Sequence, residues 1–358
     1  MNYFTMKSVI YLYICSISFI LCCMSCRQRA EINYSNSIVP EKTISLTGET
    51  IDTDFLFGWP RDIFVMDSVL IIHDSQTGEY SFHIFDKATG KHLTDFGRRG
   101  RGPGEVLNVA SVNCIGDTLV VYDTGIKQIK EYKISELLSG RNGCVFECSI
   151  AGTAENLVMQ ILPAGNGNYI LSGNDCRMRF GLWDRKDNRI VCKNTFYPNY
   201  EKDDEINWSI SNYAAQARYN HSNHKLVAAT YIGGVLEICD VMDSKIENSS
   251  IKYFYDYKDY RIAQGAVPKW VTLADKTQIG FQYIALTGNY IFGLVWGSRS
   301  MDIEKSSPDI FRFDYRGKPI AKYILGDRVI TFSVDNDNCF YGMSYDEDGE
   351  WRLKKYTY

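Results

Sequence analysis

The sequence predicts an all-β chain, a six-bladed β-propeller of four-stranded antiparallel blades, and three observations carry that prediction. A turn pair followed by a short apolar run recurs six times along the 358 residues. Each recurrence is flanked by further short alternating runs, giving four strands to a copy. The 3.6-residue period of an amphipathic helix is missing except for a turn or two around Ser135 to Leu138, which disfavours an α/β enzyme fold.

Composition narrows the function classes. An export segment of 25 residues leaves a mature chain of about 333 (358 less 25), long enough for a sizeable core and too long for a small disulfide-stapled module. Aromatic residues make up 14% and charged residues 23%, with 28 Gly and 8 Pro, which excludes disorder and low complexity. The formal charge of −4, from 39 basic and 43 acidic side chains, supplies no global field toward a nucleic-acid backbone or an anionic membrane, so no nucleic-acid partner is expected.

The N-terminus carries an address. Lys7 supplies a positive start and Val9 to Cys23 form an apolar run too short for an ordinary membrane span. Either Met1 or Met6 can start translation without changing the mature chain. The run ends in Cys23-Met24-Ser25-Cys26, which resembles a bacterial lipoprotein signal, with Cys23 where Leu is usual. That resemblance implies a signal peptide over 1–25 and a lipid anchor on Cys26, hence a bilayer partner; plain secretion with a free Cys26 thiol is the alternative. Residues 26–40 are expected to be a flexible tether and 41–358 the propeller. Arg27 and Arg29 stand where an acidic tract often accompanies surface export, so an outer-membrane location is expected with the periplasmic or surface side open. Seven cysteines follow Cys26 at irregular spacing, an odd number without a C-x-x-C pair, so neither a disulfide framework nor a structural zinc site is expected.

The six turn pairs are Asp67-Ser68, Gly116-Asp117, Gly167-Asn168, Asn223-His224, Gly288-Asn289 and Asp337-Asn338. Strands are expected upstream of each, over Asp62 to Met66, Val106 to Cys114, Leu157 to Leu162, Tyr213 to Tyr219, Gln278 to Leu286 and Arg328 to Val334. Third strands end in Asp86, Asp184, Asp240 and Asp314 before tight reversals, where an aspartate can accept backbone amides two residues on. The sixth copy stops after its third strand, Trp351 to Tyr358, so an N-terminal strand must close it, and Lys42 to Leu46 has the alternation to do so.

Asp95-Phe96-Gly97-Arg98-Arg99-Gly100-Arg101-Gly102-Pro103-Gly104-Glu105, with Leu119 to Asp123 and Ile129 to Tyr132 after it, resembles the six-bladed β-propeller lipoproteins of Bacteroidetes and is similar to NHL and TolB-like propellers. The resemblance is specific over about 93–133. It implies a fold and an envelope location, and no catalytic residue.

In an up-and-down blade, the link between strands two and three and the link to the next blade leave on one face. That face receives the long loops Gly97 to Glu105, Pro198 to Trp208, Asp256 to Thr277 and Gly297 to Pro308, where binding usually resides. Arg98, Arg99 and Arg101 form a candidate anion-binding loop, against a purely structural reading in which Gly and Pro103 shape the turn and Glu105 takes backbone amides. Glu201, Asp203, Asp204 and Glu205 read as a solvated acidic loop that can also hold calcium. Trp208, Tyr260 and Trp270 form a candidate binding rim. His221 and His224 read as an exposed turn pair, and His73 and His83 are expected to face each other across the first hairpin; neither pair brings a third ligand, so no metal and no cofactor is expected.

Two functions stay open at this level. One is a non-catalytic binding or scaffolding lipoprotein recognising an envelope protein or a glycan through the loop-rich face. The other is a carbohydrate-active propeller, a polysaccharide lyase or glycoside hydrolase. Two carboxylates, or His with Tyr and Arg, inside the central pocket point to the enzyme; a plugged channel with an exposed aromatic rim points to binding.

Overall fold

The turn pairs reverse the chain where the sequence places them. Asp67, Gly116, Gly167, His224 and Asp337 all adopt the positive φ that such tight reversals require. The computed structural model describes residues 34–358 apart from 36, 77, 151–157, 176–177, 199–213, 256–259, 263–270 and 347. The expected signal peptide, Cys26, the acidic run from Glu201 to Glu205, Trp208 and Trp270 lie outside the described residues.

Two short strands, β1 (Lys42–Leu46) and β2 (Glu49–Ile51), precede the ring. Blade 1 is β3 (Pro60–Met66), β4 (Val69–Asp74), β5 (Tyr80–Asp86) and β6 (His92–Arg98). Blade 2 is β7 (Val109–Ile115), β8 (Thr118–Asp123), β9 (Gln128–Lys133) and β10 (Cys144–Ser149), with the one-turn helix α1 (Ile134–Leu138) before β10. Blade 3 is β11 (Val158–Gly165), β12 (Asn168–Asp175), β13 (Met178–Asp184) and β14 (Arg189–Asn194). Blade 4 is β15 (Ala215–Asn220), β16 (Lys225–Thr230), β17 (Val235–Met242) and β18 (Lys245–Tyr253). A two-stranded ribbon, β19 (Tyr260–Ile262) with β20 (Val271–Leu273), leads to blade 5, which is β21 (Phe281–Leu286), β22 (Ile291–Val295), β23 (Asp309–Phe313) and β24 (Pro319–Leu325). Blade 6 is β25 (Val329–Asp335), β26 (Cys339–Tyr345) and β27 (Trp351–Thr357).

Six apolar clusters fill the wedges between neighbouring blades, one to each interface. The second strand of a blade is covered on both faces, which is why β4 is buried at every residue and opens in sequence with the unbroken apolar run Val69 to Ile72. Outer strands such as β10 and β14 alternate instead, because one face meets water. The aspartates ending the third strands behave as expected of turn residues: Asp86 accepts from the amides of Ala88 and Thr89, Asp184 from Asp187, and Asp314 from Arg316 and Lys318. Asp240 differs and pairs with Lys225 on the neighbouring strand.

An N-terminal strand closes the last blade, but it is not Lys42 to Leu46. That segment, β1, runs parallel to β24 as a fifth strand of blade 5, with Leu46 buried beside Leu325 and Tyr323. The closing strand is β2, antiparallel to β27, with Glu49 opposite Lys355 and Ile51 opposite Leu353. Gly48 makes the step between the two, lying so close to the Tyr356 ring that a Cβ would come within 2.6 Å of it. The described part of the expected tether is seated rather than free: the Ser35 amide donates to the Tyr253 carbonyl at 3.2 Å and Ile38 is buried beside Phe254 and Tyr255. An apolar residue with a ready pocket on blade 4 overrides the polar composition around it.

Truncation should distinguish the two N-terminal strands. Starting the chain after Leu46 is expected to cost less than starting it after Ile51, which opens the ring; the second truncation should melt lower by a further ~5 °C or more. Equal melting temperatures would remove β2 from the closure.

Candidate functional site

Strand parity puts the start of every first strand, and the link after every second strand, on the loop-rich face. Two buried carboxylates organise the blade-to-blade links there. Asp74, at the end of β4, accepts from the amides of Gly58 at 2.7 Å, Trp59 at 2.8 Å and Gln76 at 3.0 Å. Asp123, at the equivalent end of β8, accepts from Asn108 at 3.0 Å, Gly125 at 2.8 Å and Leu107. A carboxylate has acceptor sites for several donors, so one residue satisfies the polar backbone of an otherwise unpaired link. At Asp74 the consequence is specific: Trp59 is held at the rim of the central opening.

That opening is a cup of about 350 Å³ lined by Trp59, Arg61, Gln216, Tyr231, Gln282 and Ile330 among others. Its floor is a hydrogen-bonded network drawn from blades 1, 4 and 5. His73 Nδ1 lies 3.0 Å from Asp62 Oδ2, the Tyr283 hydroxyl donates to Asp62 Oδ1 at 3.0 Å, and Arg218 Nη2 donates to the Tyr283 oxygen at 2.8 Å. Arg218 and Tyr283 also line a smaller cavity toward the opposite face, so these two side chains divide the channel.

The electrostatics of the floor follow from burial and pairing. Burial pushes the Asp62 carboxyl up, but the hydrogen bond and charge of His73, together with the Arg218 guanidinium, outweigh it and hold the group below the usual carboxylate range. Burial pushes the Tyr283 phenol well above its ordinary value, which keeps the hydroxyl protonated and donating. Cys114, on the wall of the lower cavity, has its thiol pushed up by the protein around it, with Arg218 pulling the other way, so it is not a ready nucleophile.

The sequence-predicted residues fall as follows. Arg98 pairs with Glu79, Arg99 Nη2 donates to the Asp74 carbonyl at 3.4 Å, and Arg101 is exposed; the three guanidinium groups go different ways. Glu105 accepts from the Gly102 amide at 2.8 Å, the structural role foreseen for it. Tyr260 sits opposite Leu273 in the β19–β20 ribbon. His73 and His83 do not face each other: His73 lies opposite Phe82 and His83 opposite Ile72, so alternation sends them to opposite faces of blade 1. His224 Nδ1 instead meets the Tyr219 hydroxyl at 3.0 Å.

An aromatic patch that sequence reasoning missed borders the cup. Trp59, 48% exposed, meets Trp351 edge-on at 5.6 Å between ring centres, and Tyr345, 44% exposed, lies 4.7 Å from Trp351. Trp351 is held by its indole N–H, which donates to the Gly58 carbonyl at 2.9 Å.

A family model described as TolB-like 6-blade propeller-like matches residues 35–337. Among solved structures, a protein of Bacteroides fragilis described as exported superposes with a TM-score of 0.55 at 12% identity, covering 88% of this chain and 98% of its own. A member of the DUF4221 family from Bacteroides vulgatus gives a TM-score of 0.53 at 12% identity, covering 90% and 98%. Identity at this level shows the fold alone. No curated protein sequence matches the chain.

The floor network has a pH signature. A carboxylate held low in the folded state contributes stability above its unfolded pKa, near 3.8, and loses it as pH falls through the lowered folded value. The melting-temperature gap between the native chain and Asp62→Asn should therefore narrow as pH is taken from about 5 to about 2. A gap that stays constant would show that the Asp62 charge is not what holds the floor.

Proposed function

The chain belongs to the TolB-like six-bladed propeller family, and from that premise we propose that it is an exported, non-catalytic binding protein whose loop-rich face holds a glycan. The observation that carries this is the pairing of a small polar cup with an exposed aromatic patch that begins at Trp59 on its wall and continues through Trp351 to Tyr345. An indole or phenol face covers the apolar face of a sugar ring, while Arg61, Gln216 and Gln282 offer hydrogen bonds to hydroxyls from the wall. A channel divided by Arg218 and Tyr283 suits a chain end rather than a threaded polymer.

The enzyme alternative draws on the same floor, because His73, Tyr283 and Arg218 meet there with a carboxylate. Their pairing argues for support. The Tyr283 phenol is pushed upward by burial and stays protonated, so it is a poor base, and the Arg218 guanidinium is already engaged by Tyr283 and lies 3.5 Å from Asp62. Incubation with polysaccharides and measurement of new reducing ends separates the two; turnover abolished by Tyr283→Phe would favour the enzyme.

Location rests on the N-terminal pattern of this chain. The solved protein from Bacteroides fragilis is described as exported, in line with the N-terminal pattern of this chain. We extend this to a lipid anchor on Cys26 and an outer-membrane attachment. Cells grown with a labelled fatty acid should label the wild-type protein and leave Cys26→Ala unlabelled; an unlabelled wild type would leave ordinary secretion.

A glycan array probed with the purified mature chain should return binding that falls roughly tenfold or more in Trp59→Ala and in Tyr345→Ala, with little change in melting temperature because both rings are about half exposed. Binding that survives both substitutions, or capture of an envelope protein alone, would overturn the glycan assignment.

A further inference from the structure

Away from the cup, the outer half of blade 1 carries three metal-ligating side chains that no step above uses. His83 on β5 lies directly opposite Asp95 on β6. His92 stands three residues before Asp95, and in a regular strand that odd spacing would send the two side chains to opposite faces. The β5–β6 register shifts between Ile84 and Phe85, so Thr94 lies opposite Ile84 and His92 opposite Phe85, leaving Leu93 as the extra residue. This bulge turns His92 to the side of Asp95. The outcome is convergence: His83 Nδ1 is 2.6 Å and His92 Nε2 2.7 Å from the same Asp95 oxygen, and the three ligand atoms lie within 4.8 Å of one another.

We propose that His83, His92 and Asp95 form a binding site for a divalent transition-metal ion, zinc being the ion tested. Two imidazoles and one carboxylate suit zinc and its neighbours and do not suit calcium or magnesium, which take oxygen ligands. Zinc–ligand bonds near 2.0–2.1 Å place tetrahedral ligand atoms about 3.3 Å apart, so the two contacts to Asp95 need open by about 0.7 Å, and the two imidazole nitrogens, within 4.8 Å of each other, need close by at most about 1.5 Å. Asp95 and His92 have that freedom, since each is about a third exposed, and the exposed side leaves the fourth position to water.

The surroundings hold the group in place. His83 is buried with its Nδ1 turned to Asp95; its far Nε2, which in most metal-bound histidines donates to an acceptor, meets none among the described residues. Phe55 covers the group, 4.5 Å from the His83 ring and stacked at 5.2 Å on His92, with Phe85 5.4 Å from His92 on another side. An apolar cover of this kind strengthens metal–ligand electrostatics and limits solvent entry. Phe55 belongs to the link between β2 and β3, so a metal that fixes both imidazoles also fixes the seat of the ring-closing segment.

The experiment is a zinc titration of the untagged, metal-stripped mature chain by calorimetry, with thermal melting in parallel. The expected result is one zinc per chain and a higher melting temperature. His92→Ala and Asp95→Asn should each weaken binding by about 100-fold or more, since even outer-shell partners are worth up to that much. The double variant His221→Ala, His224→Ala should bind like the native chain. Co2+ supplies a readout that needs no variant: the loaded native protein should show the visible absorption of a tetrahedral nitrogen–oxygen site, displaced by zinc. No binding heat and no tetrahedral band would overturn the proposal, and so would binding lost only in the His221, His224 variant.

Discussion

The fold depends on the sixth interface, between the last blade and the first. Five of the six wedges join blades that follow one another in sequence, and local chain connectivity brings their faces together. The sixth joins residues from opposite ends of the chain. Without it, Ile63, Leu70, Ile72 and Phe85 of blade 1 and Tyr341, Met343 and Leu353 of blade 6 would face water. Burying a side chain of this size is worth about 1.5–3 kcal/mol, so seven of them outweigh the loop-closure entropy, which grows only slowly with length. The polar contacts across the seam among the described residues include three residue pairs between β2 and β27, the Lys87–Asp335 ion pair at 3.0 Å, the Val65 amide on Ser333 Oγ at 3.3 Å, and the Trp351 indole N–H on the Gly58 carbonyl at 2.9 Å. They set the register while the apolar wedge supplies the driving force.

Legibility in the sequence followed the same division. Second strands stand out because two covered faces demand continuous apolar residues, and turn pairs stand out because positive φ restricts the choice of residue. Three-residue β2 carries no such mark: Glu49-Thr50-Ile51 alternates no better than Lys42 to Leu46, and only the direction of β27 and the path over Tyr356 select it. Contacts between blades are silent for a related reason. Asp62 and Tyr283 are 221 residues apart, and Arg179 and Glu237, a fully buried ion pair between blades 3 and 4, are 58 apart. No spacing rule links such residues until the ring is built.

The candidate site was legible as a face and illegible as a set of residues. Strand parity, a property of the strand count, places the long loops and the cup on one face. The aromatic patch was hidden, since Trp59 and Tyr345 with Trp351 come from the two ends of the chain and meet only across the seam. The arginine loop stood out for its composition, yet Arg98 goes to Glu79 and Arg99 to a carbonyl, because a loop pinned by Glu105 and by the β-bridge between Arg99 and Val106 has limited freedom to aim three side chains together.

The proposed recognition surface and the ring closure therefore share one segment. Residues 52–59 carry the chain from β2 into blade 1, and in that span Phe55 lies over His83 and His92, Phe57 joins the seam cluster, and the Gly58 and Trp59 amides donate to Asp74. Gly90, at a φ of +74°, approaches the Asp52 carbonyl so closely that any side chain there would displace it. A ligand resting on Trp59 contacts the same short segment that the seam must hold in place. Any ligand that binds the closed ring more tightly than an opened one stabilises closure by mass action, and a looser seam would in turn weaken the ligand by the same coupling. The link that leads from the closing strand into blade 1 therefore also carries Trp59 to the wall of the cup.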